Sequence, residues 1–407
     1  MIDSAQIAAT LSKLAGSFLR CYEVGEQSRD LNPMGGGAFG QFLDQPASHH
    51  RGIHGTAAAL RVLASLDRAD AQSATTQIVR YLTHRIDIEG QIGSHETRDD
   101  RVEKATLDED NVIKNSEVLY ALKFVKATVP ERHDLATRIA GRLHTGIVQG
   151  KGWPYFLGDG SIPQPLPTAY AVRALAMHQY DVREPVQYLV TQLESPASRQ
   201  TDIWVQVACI FVLAYLPSGS ADIDDDKLKS SLLSLWGKLE PLLRQDLEAN
   251  IEYTYKDLNY YVRVPWQLYL ICAAARLKPL QCFGSSVAQR RLSSIVQAVN
   301  SRRGFIYPHS GDGLSVRTNG ILYDVLALIK EEMKPRSFML RPFYIWDNIR
   351  VFFGSQLVRA ATILVILALI VAGIWDWVRK PDASIGDLGP ELLGGVLLFV
   401  LSSRKEV

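Results

Sequence analysis

The chain carries almost no net charge. Its 44 basic and 43 acidic residues leave +1 over 407 positions, so the basic face that nucleic-acid binding needs is missing and no nucleic-acid partner is expected. Cysteine is scarce. Cys21, Cys209, Cys272 and Cys282 follow no metal-ligand spacing, and Cys209 and Cys272 sit inside apolar runs, where a free thiol acts as a small core residue. That usage fits a reducing compartment, and no metal site is expected. Met1-Ile-Asp-Ser-Ala lacks the basic start and apolar run of a signal peptide. Strand-like alternation is almost absent. Neither a Gly-Lys-Ser/Thr phosphate loop nor a nucleophile elbow occurs, and no cofactor is implied.

What is present is apolar and helical. Apolar residues make up 47% of the chain, ample for one large domain or two. Ile7, Leu11, Leu14 and Phe18 recur at helical spacing, predicting an amphipathic helix over 4–23. More polar-faced helices follow at about 72–86, 132–148, 184–194, 227–247 and 286–301. Each leads to a more apolar helix, beginning near 54, 115, 168, 202, 264 and 318. The spacing is irregular, so this is a loose repeat. Helices apolar nearly all round must be buried on both sides. Six of them, each covered by an amphipathic partner, close naturally into an inner and an outer ring.

The clearest copy of the unit runs from Gly150 to His178. Gly-Lys-Gly-Trp-Pro-Tyr-Phe passes through a Gly/Pro-rich loop into Thr168-Ala-Tyr-Ala-Val-Arg-Ala-Leu-Ala-Met-His. Copies at 37–66 and 304–330 are weaker. This Gly-x-Trp loop followed by a Thr-Ala-x-Ala-x-x-Ala-Leu helix resembles the repeat of the prenyltransferase and squalene-cyclase superfamily over residues 1–331. The resemblance implies an all-α (α/α)6 toroid. It implies fold more than activity, because toroids host unrelated functions. The family's catalytic signatures are not intact. Asp222-Ile-Asp224-Asp225 matches the acid motif of class II terpene cyclases in form, but it lies ahead of a polar outer helix, where a capped helix start explains it. The cysteine-bearing zinc sets of protein prenyltransferases and lanthionine cyclases are missing, as is the Gly-Cys-Gly-Glu-Gln run of thioester domains that share the toroid.

After the toroid domain (1–331), a hinge and interfacial aromatic segment (332–350) contains Phe343-Tyr-Ile-Trp346, a girdle of the kind found at lipid–water boundaries. Ala360–Trp375 is uncharged but reaches only about 24 Å at about 1.5 Å per residue. Extension to 351–378 makes a full crossing, with Arg359 snorkelling near one end and Trp375, Trp377, Arg379 and Lys380 anchoring the other. The tail 379–407 holds a second apolar segment, 385–401, which would take Asp387 and Glu391 into lipid if it crossed; one and two crossings both stay open. The expected partners are a lipid bilayer and an unidentified small-molecule or protein ligand, with self-association through the membrane segment open. The location is a membrane, the inner or plasma membrane if the source is bacterial, with the N-terminal domain cytosolic.

A toroid's natural pocket is its central cavity, lined by the loops leading into the inner helices. Candidate ligand-binding residues are therefore His49, His50, Arg51 and His54, with Asp44 nearby, and the aromatic and basic set Tyr155, Tyr260, Tyr261, Arg263, Trp266, Tyr307, His309 and Arg317. Trp153, Phe156, Trp204, Tyr253 and Tyr255 fall at similar positions, where packing between the rings is the alternative role. Weak catalytic candidates are His54, Asp108 and Asp110. Histidine titrates near neutrality, and paired carboxylates can divide acid and base roles; the acidic run before residue 115 also suits a helix N-terminus. Two functions remain. One is a membrane-anchored toroid that binds a ligand or partner, coupled as a sensor to its tail. The other is a membrane-bound enzyme acting on a polyisoprenoid or glycan by carboxylate/histidine acid–base chemistry. A carboxylate and a histidine converging inside the ring would favour the enzyme; aromatics and arginines alone would favour binding.

Overall fold

In a computed structural model, the described residues are 2–27, 38–39, 43, 50–89, 95–97, 110–158, 160, 162–195, 200–221, 223–240, 243, 250–255, 258–263, 266–302 and 315–333. The helices among them are α1 (Ser4–Gln27), α2 (Ile53–Leu63), α3 (Ala69–Glu89), α4 (Val112–Leu122), α5 (Arg132–Thr145), α6 (Pro165–Met177), α7 (Arg183–Glu194), α8 (Gln200–Ala214), α9 (Asp225–Leu239), α10 (Trp266–Leu277), α11 (Pro279–Gly284), α12 (Ser286–Arg302) and α13 (Val316–Met333).

Six of these close into a ring. Helix α2 packs on α4, α4 on α6, α6 on α8, α8 on α10, α10 on α13, and α13 returns to α2. The outer helices cover the seams. Helix α1 lies against α13 and α2, α3 against α2 and α5, and α5 against α4, while α7 bridges α6 and α8, α9 bridges α8 and α10, and α12 rests on α1. Burial separates the two rings as the periodicity requires. Every residue of α10 from Trp266 to Ala275 is buried, whereas α5 buries Leu135, Ala136, Ile139, Ala140 and Leu143, a single stripe at helical spacing. The ring is sealed by a close approach: a Cβ on Gly320 of α13 would come within 2.5 Å of the Ala58 Cβ of α2.

Local signals place the helix starts. Asn111 caps α4 by accepting from the Lys114 N–H, and Asp224 caps α9 by accepting from Asp226 and Lys227. Asp224 and Asp225 of the acid-motif match thus begin an outer helix. Pro165 and Pro167 open α6, where a missing N–H costs nothing. Trp153 is the mortar of its unit. Its Nε1 donates to the Leu143 carbonyl at 2.6 Å, and its backbone N–H donates to Thr168 Oγ1 at 3.0 Å. Phe39 repeats that last bond, donating its N–H to Thr56 Oγ1 at 3.1 Å. The weak copy of the repeat at 37–66 therefore shares a physical anchor with the strong one.

Three features differ from the sequence expectation. Two antiparallel ribbons accompany the helices: β1 (His50–Gly52) pairs with β2 (His95–Thr97), and β3 (Asn250–Tyr255) pairs with β4 (Leu258–Arg263), Tyr253 opposite Tyr260. The second ribbon has a pattern: Ile251, Tyr253 and Tyr255 alternate, and aromatics and β-branched residues favour strands. Helix α13 also runs through Glu331 and Glu332 to Met333, into the stretch read as hinge; Glu332 is held there by Arg276 at 3.1 Å. The short helix α11 was not anticipated. By its contacts the chain divides into Met1–Arg341 and Pro342–Val407. The membrane segment 351–378 and the tail 379–407 lie outside the described residues; among the described ones, no helix is long and apolar enough to cross a membrane.

Candidate functional site

The inner helices of the toroid are apolar, yet they carry charges on the faces that point across the ring. Those charges meet in two tiers. The first contains His54 of α2, Lys114 and Glu117 of α4, Tyr170 of α6 and Arg317 of α13. The His54 Nδ1 hydrogen-bonds one Glu117 oxygen, and Arg317 donates from Nε and Nη2 to the other at 3.2 and 2.9 Å. Helices α4 and α13 are not neighbours in the ring, so this bond reaches across its interior.

The second tier lies further along the same helices, about two turns or 10 Å on α2 and α13 and about one turn or 5 Å on α4 and α6. Asp324 of α13 accepts from Arg61 of α2 at 3.0 Å, from Tyr120 of α4 at 3.0 Å and from Arg173 of α6 at 2.5 Å. Arg173 also donates to the Tyr120 hydroxyl at 2.6 Å. Both guanidiniums lie on aromatic faces, Arg61 at 3.5 Å from the Phe124 ring centre and Arg173 at 3.9 Å from that of Tyr120. Phe211 of α8 and Tyr269 of α10 stack beside them at 4.4 Å.

Enclosure decides the charge states. Burial lowers the His54 pKa to about 3, with the Arg317 charge adding to the effect and Glu117 opposing it. His54 is therefore a neutral imidazole, its Nδ1 donating to the ionised Glu117, and among the described residues its Nε2 has no partner. Burial would raise Glu117, but Arg317 and then His54 outweigh it and hold the carboxyl at about 2. Burial pushes Lys114 down to about 7, helped by Arg317. Burial likewise works against an ionised Asp324, and Arg173 and Arg61 overcome it, keeping its pKa below the ordinary value. Among the described residues of the two tiers, three guanidiniums face two carboxylates, a surplus of one positive charge before Lys114 is counted.

Of the residues singled out from sequence, His54 and Arg317 are brought together, through Glu117. Asp110 is not with them. It is buried, accepts from Asn115 at 2.7 Å and pairs with Arg142, tying α4 to α5, and its carbonyl holds the Leu157 N–H at 2.8 Å. The acidic run before α4 is thus structural at the position described. Tyr155 is half-buried in the same seam, its carbonyl accepting from Val112 at 3.0 Å. Trp266 is buried, its ring 3.6 Å from that of Trp204 between α10 and α8. His50, Arg51, Tyr260, Tyr261 and Arg263 lie on ribbon strands whose backbone alone is described. His49, Asp108, Tyr307 and His309 fall outside the described residues.

The reading that confined candidates to loops missed Glu117, Tyr120, Arg61, Arg173 and Asp324, which are all helix-interior residues. A usable signal was present. Each is a polar or charged side chain in a helix otherwise apolar enough to be buried, and a buried charge must find a partner.

No protein-family model matches the chain, and no curated protein sequence does either. Several solved structures are similar. A type II terpene cyclase from Scytonema in complex with its product merosterolic acid A shares 14% identity over 80% of this chain and 99% of that one, with a TM-score of 0.45. A D-mannose isomerase shares 12% over 79% and 97%, with a TM-score of 0.47. A glycosidase shares 13% over 80% and 98%, with a TM-score of 0.36. The closed ring described above rests on this chain's own helix contacts, and the activities named are those of the other proteins.

Proposed function

We propose that the ring interior is an active site for acid–base chemistry on a small anionic substrate. The carrying observation is the chain Arg317–Glu117–His54, drawn from three inner helices. Arg317 fixes the carboxylate, the carboxylate fixes the imidazole tautomer, and Nε2 is left as the base. A histidine oriented by a buried carboxylate is a common form of general base. The surplus of guanidinium over carboxylate supports an anionic substrate, and the aromatic faces of Tyr120, Phe211 and Tyr269 supply apolar wall. A short isoprenoid bearing a phosphate or carboxylate head has both properties.

The binding reading draws on the second tier. Arg61, Arg173 and Asp324 are mutually satisfied and form a pre-set cluster of arginines and aromatics, suited to holding a ligand without reacting. The convergence of His54 with Glu117 favours catalysis over binding alone. Attachment to a membrane through 351–378 rests on the hydropathy of that segment and would bring the ring to lipid-soluble substrates.

The test is proton exchange. The detergent-purified chain is incubated in deuterated water with a fractionated lipid and metabolite extract, and products are compared by mass spectrometry with those of His54→Gln. Deuterium entering a compound with the wild type and not with the variant is expected. Equal patterns for the two proteins, or a ligand that co-purifies and is returned unchanged, would remove the catalytic reading and leave the binding one. Resistance of the chain to carbonate extraction from membranes, lost on deleting 351–378, tests the attachment.

A further inference from the structure

Lys114 stands apart from the network around it. It is 6% exposed, and it lies one turn before Glu117 on the same stripe of α4. Among the described residues its ammonium makes no hydrogen bond and no ion pair; its backbone N–H donates to the Asn111 side chain. Glu117, the carboxylate whose charge acts on it, is already used by His54 and Arg317. The neighbouring charge that acts most on it is the positive Arg317. Burying an ammonium without a counterion is costly, and the site relieves the cost by letting the proton go near neutrality. A desolvated lysine beside a second cation is the arrangement that makes an amine nucleophilic.

We propose that Lys114 is a carbonyl-capturing amine: a small anionic aldehyde or keto acid entering the ring forms an imine on its Nζ, its negative charge answered by Arg317 and the guanidinium surplus beyond. The nitrogen lone pair adds to the carbonyl carbon, and the C–O π pair moves to oxygen. Dehydration of the carbinolamine then expels that oxygen as water, with the two protons the nitrogen carried. Nothing is oxidised or reduced. The substrate's charge rests on the proposed function; capture by Lys114 does not require His54 to be a catalytic base.

The experiment is reductive trapping on the full chain in detergent at neutral pH. Glyoxylate, and separately pyruvate, is added with borohydride, and the adduct is located by peptide mass spectrometry. The expected result is one adduct on Lys114, exceeding that on exposed lysines such as Lys126 by at least about tenfold, since at neutral pH about half of an amine with pKa near 7 is unprotonated and very little of an ordinary lysine is. Lys114→Arg should abolish it. Adducts spread over surface lysines with Lys114 bare would overturn the inference. A second measurement needs no variant: carbamylation of Lys114 by cyanate should reach half its maximal rate near neutral pH, and a half-rate several units higher also overturns it. Deuterium exchange that depends on His54, with no adduct on Lys114, would leave the base standing and remove the amine.

Discussion

Removing the Asp324 carboxylate tests whether the second tier is a true charge cluster within the ring. The side chain is 6% exposed and holds two guanidiniums, Arg61 and Arg173, which are themselves 11% and 16% exposed. Asp324→Ala strands both. Breaking a buried pair by deleting one partner costs about 3–5 kcal/mol. Each arginine keeps an aromatic face, worth roughly 0.5–2 kcal/mol, so the lower part of that range, about 3 kcal/mol, is expected. Asp324→Asn retains an acceptor for Tyr120 and should lose less. The stranded arginines make a further distinction. Arg173→Leu alone unpairs half of the cluster, but added to Asp324→Leu it removes a charge that had become uncompensated, so the double variant should be more stable than the sum of single losses predicts, by at least about 1 kcal/mol. Urea unfolding at neutral pH, followed by circular dichroism, reads both quantities. The sign with pH follows from the depressed pKa: the folded state binds its proton less readily than the unfolded one, so this stability is present above the ordinary carboxylate range and is lost as pH falls through the folded value. A loss below about 1 kcal/mol for Asp324→Ala, or additive doubles, would show that these side chains are solvated and would refute the packed tier.

Three further outcomes are expected. Between about pH 6.5 and 3 the unfolded chain takes up a proton on His54 that the folded chain refuses, so stability should fall on acidification from about 6.5 with a slope of up to about 1.4 kcal/mol per pH unit; His54→Gln should flatten that limb above pH 5, and an unchanged limb in urea titrations would contradict the neutral imidazole. Gly320→Ala drives a methyl into Ala58 where the ring closes and should cost about 1–3 kcal/mol by thermal or urea unfolding, whereas Gly237→Ala on outer helix α9, with nothing within 4 Å, should be neutral or mildly stabilising; equal effects would deny the close contact of α13 with α2. Trp153→Phe removes the bond to the Leu143 carbonyl, and the partner left unmet together with lost packing should cost about 1–3 kcal/mol, measured the same way.

The ring was legible because burial is written locally. The inner helices were placed near 54, 115, 168, 202, 264 and 318, and they begin at Ile53, Val112, Pro165, Gln200, Trp266 and Val316. A helix such as Trp266-Gln-Leu-Tyr-Leu-Ile-Cys-Ala-Ala-Ala has no polar face to show to water, and its neighbours can be inferred from that alone. The site was legible only at its edge. His54 and Arg317 stood out as loop-adjacent residues, whereas their common partner Glu117 is 63 positions from the first and 200 from the second. Arg61 and Asp324 are 263 apart. No local pattern names a partner at such distances. The β3–β4 ribbon was missed for a different reason: tyrosine spacing was read as a lining of aromatics when its alternation already had the period of a strand. One inference was nevertheless open. A charge embedded in a helix buried all round is too costly to keep unless another buried helix supplies its opposite. Arg173 in the middle of Ala-Val-Arg-Ala-Leu and Asp324 in the middle of Leu-Tyr-Asp-Val-Leu each satisfy that condition, and the requirement that they meet orients α6 and α13 toward each other across the ring. In a closed toroid, then, it is the misplaced charges of the inner helices, rather than the aromatics of the loops, that mark the axis.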